Sequence, residues 1–297
     1  MLEVGVLGLG AIGHVIGAPF LEKSGVRIHF YNRSTRPVFR FQPFDRPFIQ
    51  QNIACEQELP KESIVLDWLF ICLKTYHYQG AESWLRALIS AQTRVVVLRN
   101  GLNLTAPLLP FTTAEHILPV LVDAPTQYDQ GEASYVQMRP ARLLLPPHPL
   151  SEELRALLHE SEIAIAITSD FKTASWSKLL ESASLGAIMC LSGQTCRIFK
   201  RSEIRALYRS LLQEGIAVAK ADGAQLSIDY VELMLEKLST YPSEKGSSML
   251  TDRQSGRPIE VMAKSGAIAQ RGVELGIPTP LHTSFSALLE VVNREGE

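Results

Sequence analysis

Long apolar runs, an excess of one sign of charge and metal-binding spacings are all missing from this chain of 297 residues. No run reaches the roughly 18 uninterrupted apolar residues of a membrane-spanning helix, so we expect no membrane partner. Lys and Arg together number 29 and Asp and Glu 31, and the net charge of -2 would not hold a polyanion, so we expect no nucleic-acid partner. The 7 histidines form no HExxH motif and no cluster with cysteine, and we predict no metal site.

Cysteine is also scarce. The 4 cysteines have neither CxxC spacing nor the density of a disulfide framework, so we predict reduced thiols and a cytoplasmic location. What remains is the composition of an ordinary folded protein, with 46% hydrophobic and 20% charged residues. A chain of this length predicts about two domains.

The sequence pattern changes near Asp170. Before it, short β-rich runs alternate with amphipathic stretches, which is typical of βαβ units and a mostly parallel sheet. After it, apolar residues recur at helical spacing. We predict an α/β fold with an N-terminal Rossmann-type dinucleotide-binding domain, residues 1–169, followed by an all-helical C-terminal domain, residues 170–297. The predicted strands are 3–7, 26–31, 68–73, 94–98, 117–122, 142–145 and 163–168, and the predicted helices are 171–191, 202–221, 228–239, 258–275 and 283–293.

A glycine-rich motif follows the first predicted strand at once and opens a helical pattern. In a GxGxxG turn the first glycine permits the tight turn, the second lets a pyrophosphate approach the backbone, and the third lets the helix pack on the strand. Amides at the helix N-terminus favour the phosphates. A second strand follows, so this order predicts dinucleotide binding; the alternative is a glycine-rich turn without a ligand. The motif residues are Gly8, Leu9, Gly10, Ala11, Ile12 and Gly13.

The residues after the second predicted strand decide which dinucleotide is preferred. NAD sites place Asp or Glu here to bind the ribose 2′-hydroxyl. This chain has Asn32-Arg33-Ser34-Thr35-Arg36, with no carboxylate and with two guanidinium groups that can bind a 2′-phosphate. We therefore predict NADP(H), with its 2′-phosphate at Asn32 and Arg33. The aromatic and basic segment at 39–48 is interpreted as a cofactor-side loop or an edge strand, in preference to a single-strand binding patch.

Several short motifs, spread over nearly the whole chain, form one combined pattern. Beyond the glycine motif they are Leu73-Lys74, Arg99-Asn100-Gly101, Trp176-Ser177-Lys178-Leu179, Ser247-Ser248-Met249-Leu250, Glu260 and Leu275-Gly276-Ile277-Pro278-Thr279-Pro280. Together they resemble the ketopantoate reductase (2-dehydropantoate 2-reductase) family. The resemblance implies a Rossmann domain, a helical second domain and NADPH-dependent reduction of a 2-oxo acid to a 2-hydroxy acid, in pantothenate synthesis for the best-known members.

The resemblance also implies roles for individual residues. The family's catalytic lysine corresponds to Lys178, which would protonate the carbonyl oxygen as hydride reaches the carbon. Glu260 corresponds to an acid near the cofactor and this lysine, and Ser248 to a serine that binds the substrate carboxylate. Asn100 corresponds to an amide that contacts both cofactor and substrate. Lys74 follows a strand at the sheet edge where ligands bind, and would contact a phosphate, the substrate or only solvent.

Each of these residues also has a purely structural interpretation. Lys178 would be a solvated helix lysine, and Glu260 would form an i,i+4 surface pair with Lys264. Ser248 would be a helix cap or turn residue, and Asn100 part of an Asn-Gly turn.

The chain departs from the family pattern in the expected substrate pocket. The family has asparagines four and eight residues after the catalytic lysine, where this chain has Ser182 and Gly186. A further family asparagine falls near Cys196, and another is Ser265 here. Because each hydrogen bond left unmade by a buried polar group costs roughly 1–3 kcal/mol, we expect Ser182, Gly186 and their surroundings to bind a different oxo compound, or serines and waters to replace the amides.

These observations predict an NADPH-dependent 2-oxo acid reductase. Two alternatives remain open: a family descendant that binds NADP(H) as a redox sensor or scaffold without turnover, and a dehydrogenase acting on a 3-hydroxy acid. A homodimer is a further expectation, by analogy with dehydrogenases that have a helical second domain.

Overall fold

The computed structural model describes residues 1–60 and 64–294. The chain divides into two compact units, one of residues 1–99 with 103–171 and the other of residues 100–102 with 172–297. Each unit has its own apolar core.

The first unit is built on a parallel sheet. Its elements in chain order are β1 (Leu2–Leu7), α1 (Ala11–Gly17), β2 (Val26–Tyr31), β3 (Val38–Gln42), β4 (Ile49–Asn52), β5 (Cys55–Glu56), β6 (Trp68–Ile71), α2 (Glu82–Leu88), β7 (Arg94–Val97), β8 (Ile117–Pro119), β9 (Leu121–Asp123), β10 (Thr126–Asp129), β11 (Ser134–Gln137), β12 (Arg142–Leu145), α3 (Pro149–Leu157) and β13 (Ala164–Ile167). Within the described residues, six strands pair in the order β5-β2-β1-β6-β7-β8, every pair parallel. The strands β6 and β7 are short apolar runs with almost no exposed surface, as strands covered on both faces should be. The predicted α/β fold is confirmed.

The segment at 39–48 was predicted to be a loop or an edge strand, and for residues 39–42 this is wrong. In the described part of the chain β3 is an inner strand of a second sheet, in the order β10-β11-β3-β4. Phe39 and Phe41 alternate with Arg40 and are buried, so the aromatic residues form core and the arginine lies on the other face. The ring centroid of His14 lies 4.5 Å from that of Phe39, which joins this sheet to α1.

The strand predicted at 117–122 is in fact two strands that belong to different sheets. Its first part, β8, pairs with β7 in the parallel sheet. Val120 still donates to the carbonyl of Val97 at 3.0 Å, after which β9 pairs with β12 in a third sheet of order β13-β12-β9.

All elements of regular secondary structure in the described part of the second unit are helices. Its helices are α4 (Phe171–Ser192), which starts at the last residue of the first unit, α5 (Ser202–Ala221), α6 (Tyr230–Ser239), α7 (Ser248–Gln254), α8 (Ser265–Leu275) and α9 (Pro280–Arg294). They surround a core that contains the fully buried Trp176, Tyr208 and Leu211. The helix predicted at 258–275 begins only at Ser265, because a 3-10 turn at Val261–Ala263 comes first. No helix in the described ranges combines the length and the hydropathy of a bilayer span.

Candidate active site

The glycine motif lies at the carboxyl edge of the parallel sheet. Leu7, the last residue of β1, is in register with Tyr31 of β2 on one side and with Ile71 of β6 on the other. The segments that follow these three strands therefore leave the sheet side by side, and they carry the glycine motif, Asn32 and Lys74. This edge is where open α/β sheets bind ligands.

Each glycine of the motif has a geometric reason. Gly8 has a φ of +98°, a left-handed conformation that other residues rarely adopt. A Cβ on Gly13 would stand 2.1 Å from the carbonyl oxygen of Gly8, so only glycine lets α1 pack this close to the loop. A Cβ on Gly10 would meet no atom within 4 Å, which leaves open space at the start of α1. The loop therefore fits the pyrophosphate of a dinucleotide.

Asn32 shapes this loop from the neighbouring strand. Its Oδ1 accepts the backbone N–H of Leu9 at 3.1 Å, and its Nδ2 donates to the carbonyl of Ser34 at 2.8 Å. Both ends of the amide are therefore bonded within the protein. The predicted cofactor role of Asn32 is accompanied by a structural one, which is to hold the glycine loop against the end of β2.

The two arginines after β2 differ in their surroundings. Arg33 is exposed, whereas Arg36 is partly buried and its Nε has no hydrogen-bond partner among the described residues. Burial lowers the pKa of His14 to about 4. A hydrogen bond from His14 to the carbonyl of Gly10 opposes this shift, and the positive charge of Arg36 strengthens it. Arg36 is therefore close to the glycine loop and carries an unused buried donor, which fits an anionic group such as a 2′-phosphate.

Sequence reasoning missed a carboxylate at the same edge. Glu56 pairs in register with Tyr31, and its carbonyl accepts the backbone N–H of Asn32 at 3.0 Å. Burial raises the pKa of Tyr31, and the charge of Glu56 adds to this effect. The strand β5 has only 2 residues, so no alternation in the sequence could have revealed it.

Lys178 stands on a helix that is fixed by the two residues before it. Trp176 is fully buried, and its Nε1 donates to Oδ2 of Asp222 at 2.8 Å. The hydroxyl of Tyr230 donates to the carbonyl of Ser177 at 2.9 Å. Lys178 itself is partly buried. The residues just before it are therefore anchored to Asp222, which follows α5, and to Tyr230 of α6, as a precisely oriented side chain requires.

We expect Asp222→Ala to destabilise the protein, because it leaves the buried indole N–H of Trp176 unpaired and removes one of the two carboxylate partners of Arg271. An unsatisfied buried donor costs about 1–3 kcal/mol, measurable by urea unfolding. Burial alone would raise the pKa of Asp222, but hydrogen bonds from Trp176 and Arg271 outweigh it and hold this pKa below its usual value. The stabilisation that the Asp222 carboxylate contributes should therefore be fully present above about pH 3.9, the pKa of Asp in an unfolded chain. It should be lost as the pH falls through the lower pKa of Asp222 in the folded protein. Asp229→Ala, an exposed control, should change little.

Asn100 and Glu260 meet within the second unit. The side-chain N–H of Asn100 donates to Oε2 of Glu260 at 2.9 Å, and Glu260 is only 7% exposed. Gly101 has a φ of +100° and lies against the backbone of Ala263, so the Asn-Gly turn brings Asn100 to this carboxylate. Directly before Glu260, the backbone N–H of Ile259 donates to Oδ1 of Asn293 at 2.6 Å. The Asn-Gly turn therefore sets the backbone position from which the side chain of Asn100 bonds Glu260.

The surface pair that was considered for Glu260 and Lys264 is wrong, because neither residue is at the surface. Lys264 is 4% exposed, and its Nζ donates to Oγ of Ser182 at 2.8 Å. The segment between Glu260 and Lys264 is a 3-10 turn, so the i,i+4 geometry of an α-helix does not apply. The structure thus excludes the surface pair considered as the alternative and brings a buried ammonium to the helix that carries Lys178.

Two further residues of the predicted pocket have contrasting environments. Ser248 is the first residue of α7 and is exposed, while the capping role falls to Ser247, whose Oγ accepts the N–H of Leu250 at 3.2 Å. Gly186 is buried, and a Cβ there would lie 2.8 Å from Sδ of Met249. The space that a side chain at 186 would occupy is therefore filled by Met249.

The residues proposed from sequence form two groups, one in each unit. In the first unit the glycine loop, Asn32 and Lys74 share the sheet edge, and Nζ of Lys74 lies 5.9 Å from the ring centroid of Tyr76. In the second unit two side-chain pairs are hydrogen-bonded, Asn100 with Glu260 and Lys264 with Ser182, and we call these four residues together with Lys178 the α4 polar cluster. Ser182 lies one helical turn after Lys178, and side chains at this spacing are neighbours on the helix surface.

A dinucleotide cradle on a parallel sheet, followed by a helical unit with a lysine, a carboxylate and an amide, defines the class of Rossmann-type oxidoreductases. The sequence model of "Ketopantoate reductase PanE/ApbA" matches residues 4–149, and that of its C-terminal domain matches residues 170–293. The chain therefore belongs to the ketopantoate reductase family, whose members are oxidoreductases that use a nicotinamide cofactor.

Individual relatives agree with this assignment. The 2-dehydropantoate 2-reductase of Caulobacter vibrioides is 30% identical over 290 residues, which is 97% of this chain and 98% of that protein. That of Mycobacterium tuberculosis is 34% identical over 227 residues, 75% of each chain. Among solved structures, a dimeric ketopantoate reductase from Staphylococcus aureus has a TM-score of 0.87 at 24% identity over 100% of both chains. A D-mandelate dehydrogenase with NADH and anilino(oxo)acetate has a TM-score of 0.88 at 16% identity over 99% of both. These structures share the fold.

Proposed function

We propose that this protein reduces a 2-oxo acid to the 2-hydroxy acid with NADPH, and that 2-dehydropantoate (ketopantoate) is the first substrate to test. The product would then be pantoate, which places the reaction in pantothenate and coenzyme A biosynthesis. The observation that carries the proposal is the α4 polar cluster, in a chain whose full-length relative is a 2-dehydropantoate 2-reductase. We retain residues 1–169 as the NADP-binding domain and 170–297 as the catalytic domain.

The proposed chemistry needs a proton donor for the carbonyl oxygen. The nicotinamide supplies a hydride to the carbonyl carbon when the cofactor is bound. Lys178 gives one proton to the oxygen, so the carbonyl becomes a secondary alcohol and the lysine is left neutral until solvent reprotonates it. Before the transfer, its ammonium stabilises the negative charge that develops on that oxygen. Glu260 holds Asn100 by a hydrogen bond, and this fixes the amide that would orient the reactants.

The cofactor assignment rests on the first unit. Gly8, Gly10 and Gly13 would hold the pyrophosphate, with Ala11 and Ile12 at the start of α1. Arg33 and Arg36 would hold the 2′-phosphate. The Nε of Arg36 has no hydrogen-bond partner among the described residues, and this supports NADPH in particular. Lys74 would contact a phosphate from the neighbouring strand end.

The assay is NADPH oxidation by the purified protein with ketopantoate, compared with NADH and with other 2-oxo acids such as pyruvate and phenylpyruvate. We expect turnover with at least one 2-oxo acid and a preference for NADPH. If ketopantoate fails while another acid reacts, the reaction class stands, and the substrate has changed at the Ser182 and Gly186 positions. Absence of turnover with the whole panel, together with tight NADPH binding, would instead support the non-catalytic sensor.

The assembly and the location belong to the same proposal. A homodimer is proposed because a relative of the same fold is described as dimeric. Light scattering of the purified chain with and without NADPH tests it. We also retain the cytoplasmic location, which rests on the reduced cysteines expected from the sequence.

A further inference from the structure

His14 is a buried histidine beside the glycine loop that the proposed mechanism leaves unused. It follows Gly13 directly and is only 2% exposed. Its Nδ1 lies 2.9 Å from the carbonyl oxygen of Gly10, which also accepts the backbone N–H of His14 at 3.0 Å. Because a carbonyl oxygen can only accept, Nδ1 carries a hydrogen and donates it. Burial lowers the pKa of His14 to about 4, so the ring is neutral near pH 7 and Nε2 carries no hydrogen.

The ring of His14 packs against the second sheet. The ring centroids of Phe39 on β3 and of Tyr135 on β11 each lie 4.5 Å from that of His14, and that of Phe41 lies 6.3 Å away. Tyr135 is in register with Phe41, and Phe39 comes two residues before Phe41, so these three rings share one face of the sheet. An imidazole packed against this face has little freedom to turn, so its Nδ1 stays directed at Gly10.

The carbonyl that His14 holds belongs to the peptide group between Gly10 and Ala11. A peptide group is planar and trans, so its C=O and its N–H point in opposite directions. A carbonyl held toward His14 therefore directs the N–H of Ala11 away from His14. This N–H is one of the backbone donors that a glycine loop offers to a pyrophosphate. Gly10 itself cannot fix the peptide with a side chain, and no side-chain cap bonds the start of α1.

We propose that His14 is a positioning residue for the cofactor, whose Nδ1–H holds the Gly10–Ala11 peptide in the orientation that binds the pyrophosphate. The inference rests on the proposed function, because it assumes that the loop binds NADP(H). Asn32 holds the same loop through the N–H of Leu9, and His14 adds a second support that comes from the second sheet. A loop that is held before the cofactor arrives loses less conformational freedom on binding.

Two substitutions separate the donor of His14 from its ring. His14→Phe keeps an aromatic ring against the second sheet and has no donor. His14→Asn loses the ring and keeps an N–H at the place of Nδ1, since both nitrogens are attached to Cγ. Fluorescence titration should show Kd for NADPH raised about 5- to 10-fold in His14→Phe, the effect of one neutral hydrogen bond, and raised less than about twofold in His14→Asn. Thermal melting should show the opposite order, with His14→Asn the less stable variant.

A fragment of the cofactor shows which part of the site is affected. Adenosine 2′-monophosphate carries the 2′-phosphate and no pyrophosphate. Its Kd, measured by calorimetry, should be the same in His14→Phe as in the unmodified protein, whereas Arg36→Ala should weaken it. Phe20→Leu is the control for lost core packing, because Phe20 is 1% exposed and its ring centroid lies 5.6 Å from that of Phe70. It should lower the melting temperature and leave the affinity for NADPH unchanged.

A spectroscopic signature tests the hydrogen bond in the unmodified protein. Long-range proton–nitrogen correlation spectra of the histidine-labelled protein distinguish the two neutral forms of imidazole. His14 should show the form with the hydrogen on Nδ1. His282 is the internal comparison, because it is fully buried too, but its Nε2 donates to the carbonyl of Leu211 at 3.1 Å. It should show the other form. A hydrogen on Nε2 of His14 would overturn the proposal.

The outcomes keep this inference apart from the proposed function. NADPH binding that is weakened in His14→Phe and retained in His14→Asn supports the positioning role, whether or not a 2-oxo acid is turned over. Equal affinity of His14→Phe and the unmodified protein would overturn this inference alone. Equal losses in both variants, or an equal loss for adenosine 2′-monophosphate, would show a general structural defect and overturn it as well. If the unmodified protein binds no NADPH, the proposed function is rejected too.

Discussion

Lys178→Met should lose about 1,000-fold in kcat while binding NADPH as the unmodified protein does, because general acid catalysis by a positioned side chain contributes about 10²- to 10⁴-fold. Methionine keeps most of the length of the side chain and removes the ammonium with its transferable proton and its charge. The side chain of Trp176 and the carbonyl of Ser177 are both hydrogen-bonded just before position 178, so the substitution should not move the backbone. Steady-state kinetics with the best 2-oxo acid and fluorescence titration with NADPH measure the two quantities.

Lys172→Met is the control for this substitution. Lys172 lies on the same helix and is exposed, with its Nζ on the carbonyl of Asp222 at 2.8 Å. It should retain kcat. A second readout uses Lys178→Ala, which leaves space for a small amine; added ethylamine should restore part of the rate if the missing group is a proton donor. Equal activity of Lys178→Met and the unmodified protein would refute the assigned chemistry.

The features that the sequence predicted well are those with a strong local pattern. The strands β6 and β7 are short apolar runs, and α4 has continuous helical spacing, so both appear near their predicted positions. The second sheet was not predicted, because β10 is largely exposed and β11 pairs in parallel with β3 from a distant part of the chain. Such pairing leaves no trace in either segment alone.

In the candidate site, too, features with a local sequence pattern were predicted and features that depend on packing were not. The order of strand, glycines and helix predicted the cradle, since the reasons for those glycines are local. The surface pair considered as an alternative for Glu260 and Lys264 fails because i,i+4 spacing assumes an α-helix, and the 3-10 turn after Glu260 sends the lysine toward Ser182. That Met249 occupies the space beside Gly186 depends on how α7 packs against α4, which no motif encodes.

Replacing both Arg33 and Arg36 with alanine should weaken NADPH by about 100-fold or more in KM and leave NADH almost unchanged, because each charge-assisted contact to a phosphate contributes about 1.5–3 kcal/mol. Arg36→Ala should account for more of this loss than Arg33→Ala. Arg36 has a buried Nε without a partner among the described residues. Arg33 is exposed, so its side chain would lose more conformational entropy when it binds the phosphate. Calorimetry with 2′-phospho-AMP against AMP checks the same contacts without catalysis.

The carboxylate of Glu56 makes this prediction decisive, because it lies at the same edge and could instead bind the hydroxyls of an NAD ribose. If NADPH is the cofactor, Glu56→Gln should leave NADPH turnover intact, since it removes only a charge that repels a phosphate. Arg27→Ala serves as the control, because Arg27 lies at the opposite end of β2 and pairs with Glu3. The opposite result would be a preference for NADH that is lost in Glu56→Gln and is unchanged when Arg33 and Arg36 are replaced. It would show that the carboxylate, and not the two guanidinium groups, binds the ribose and selects the cofactor.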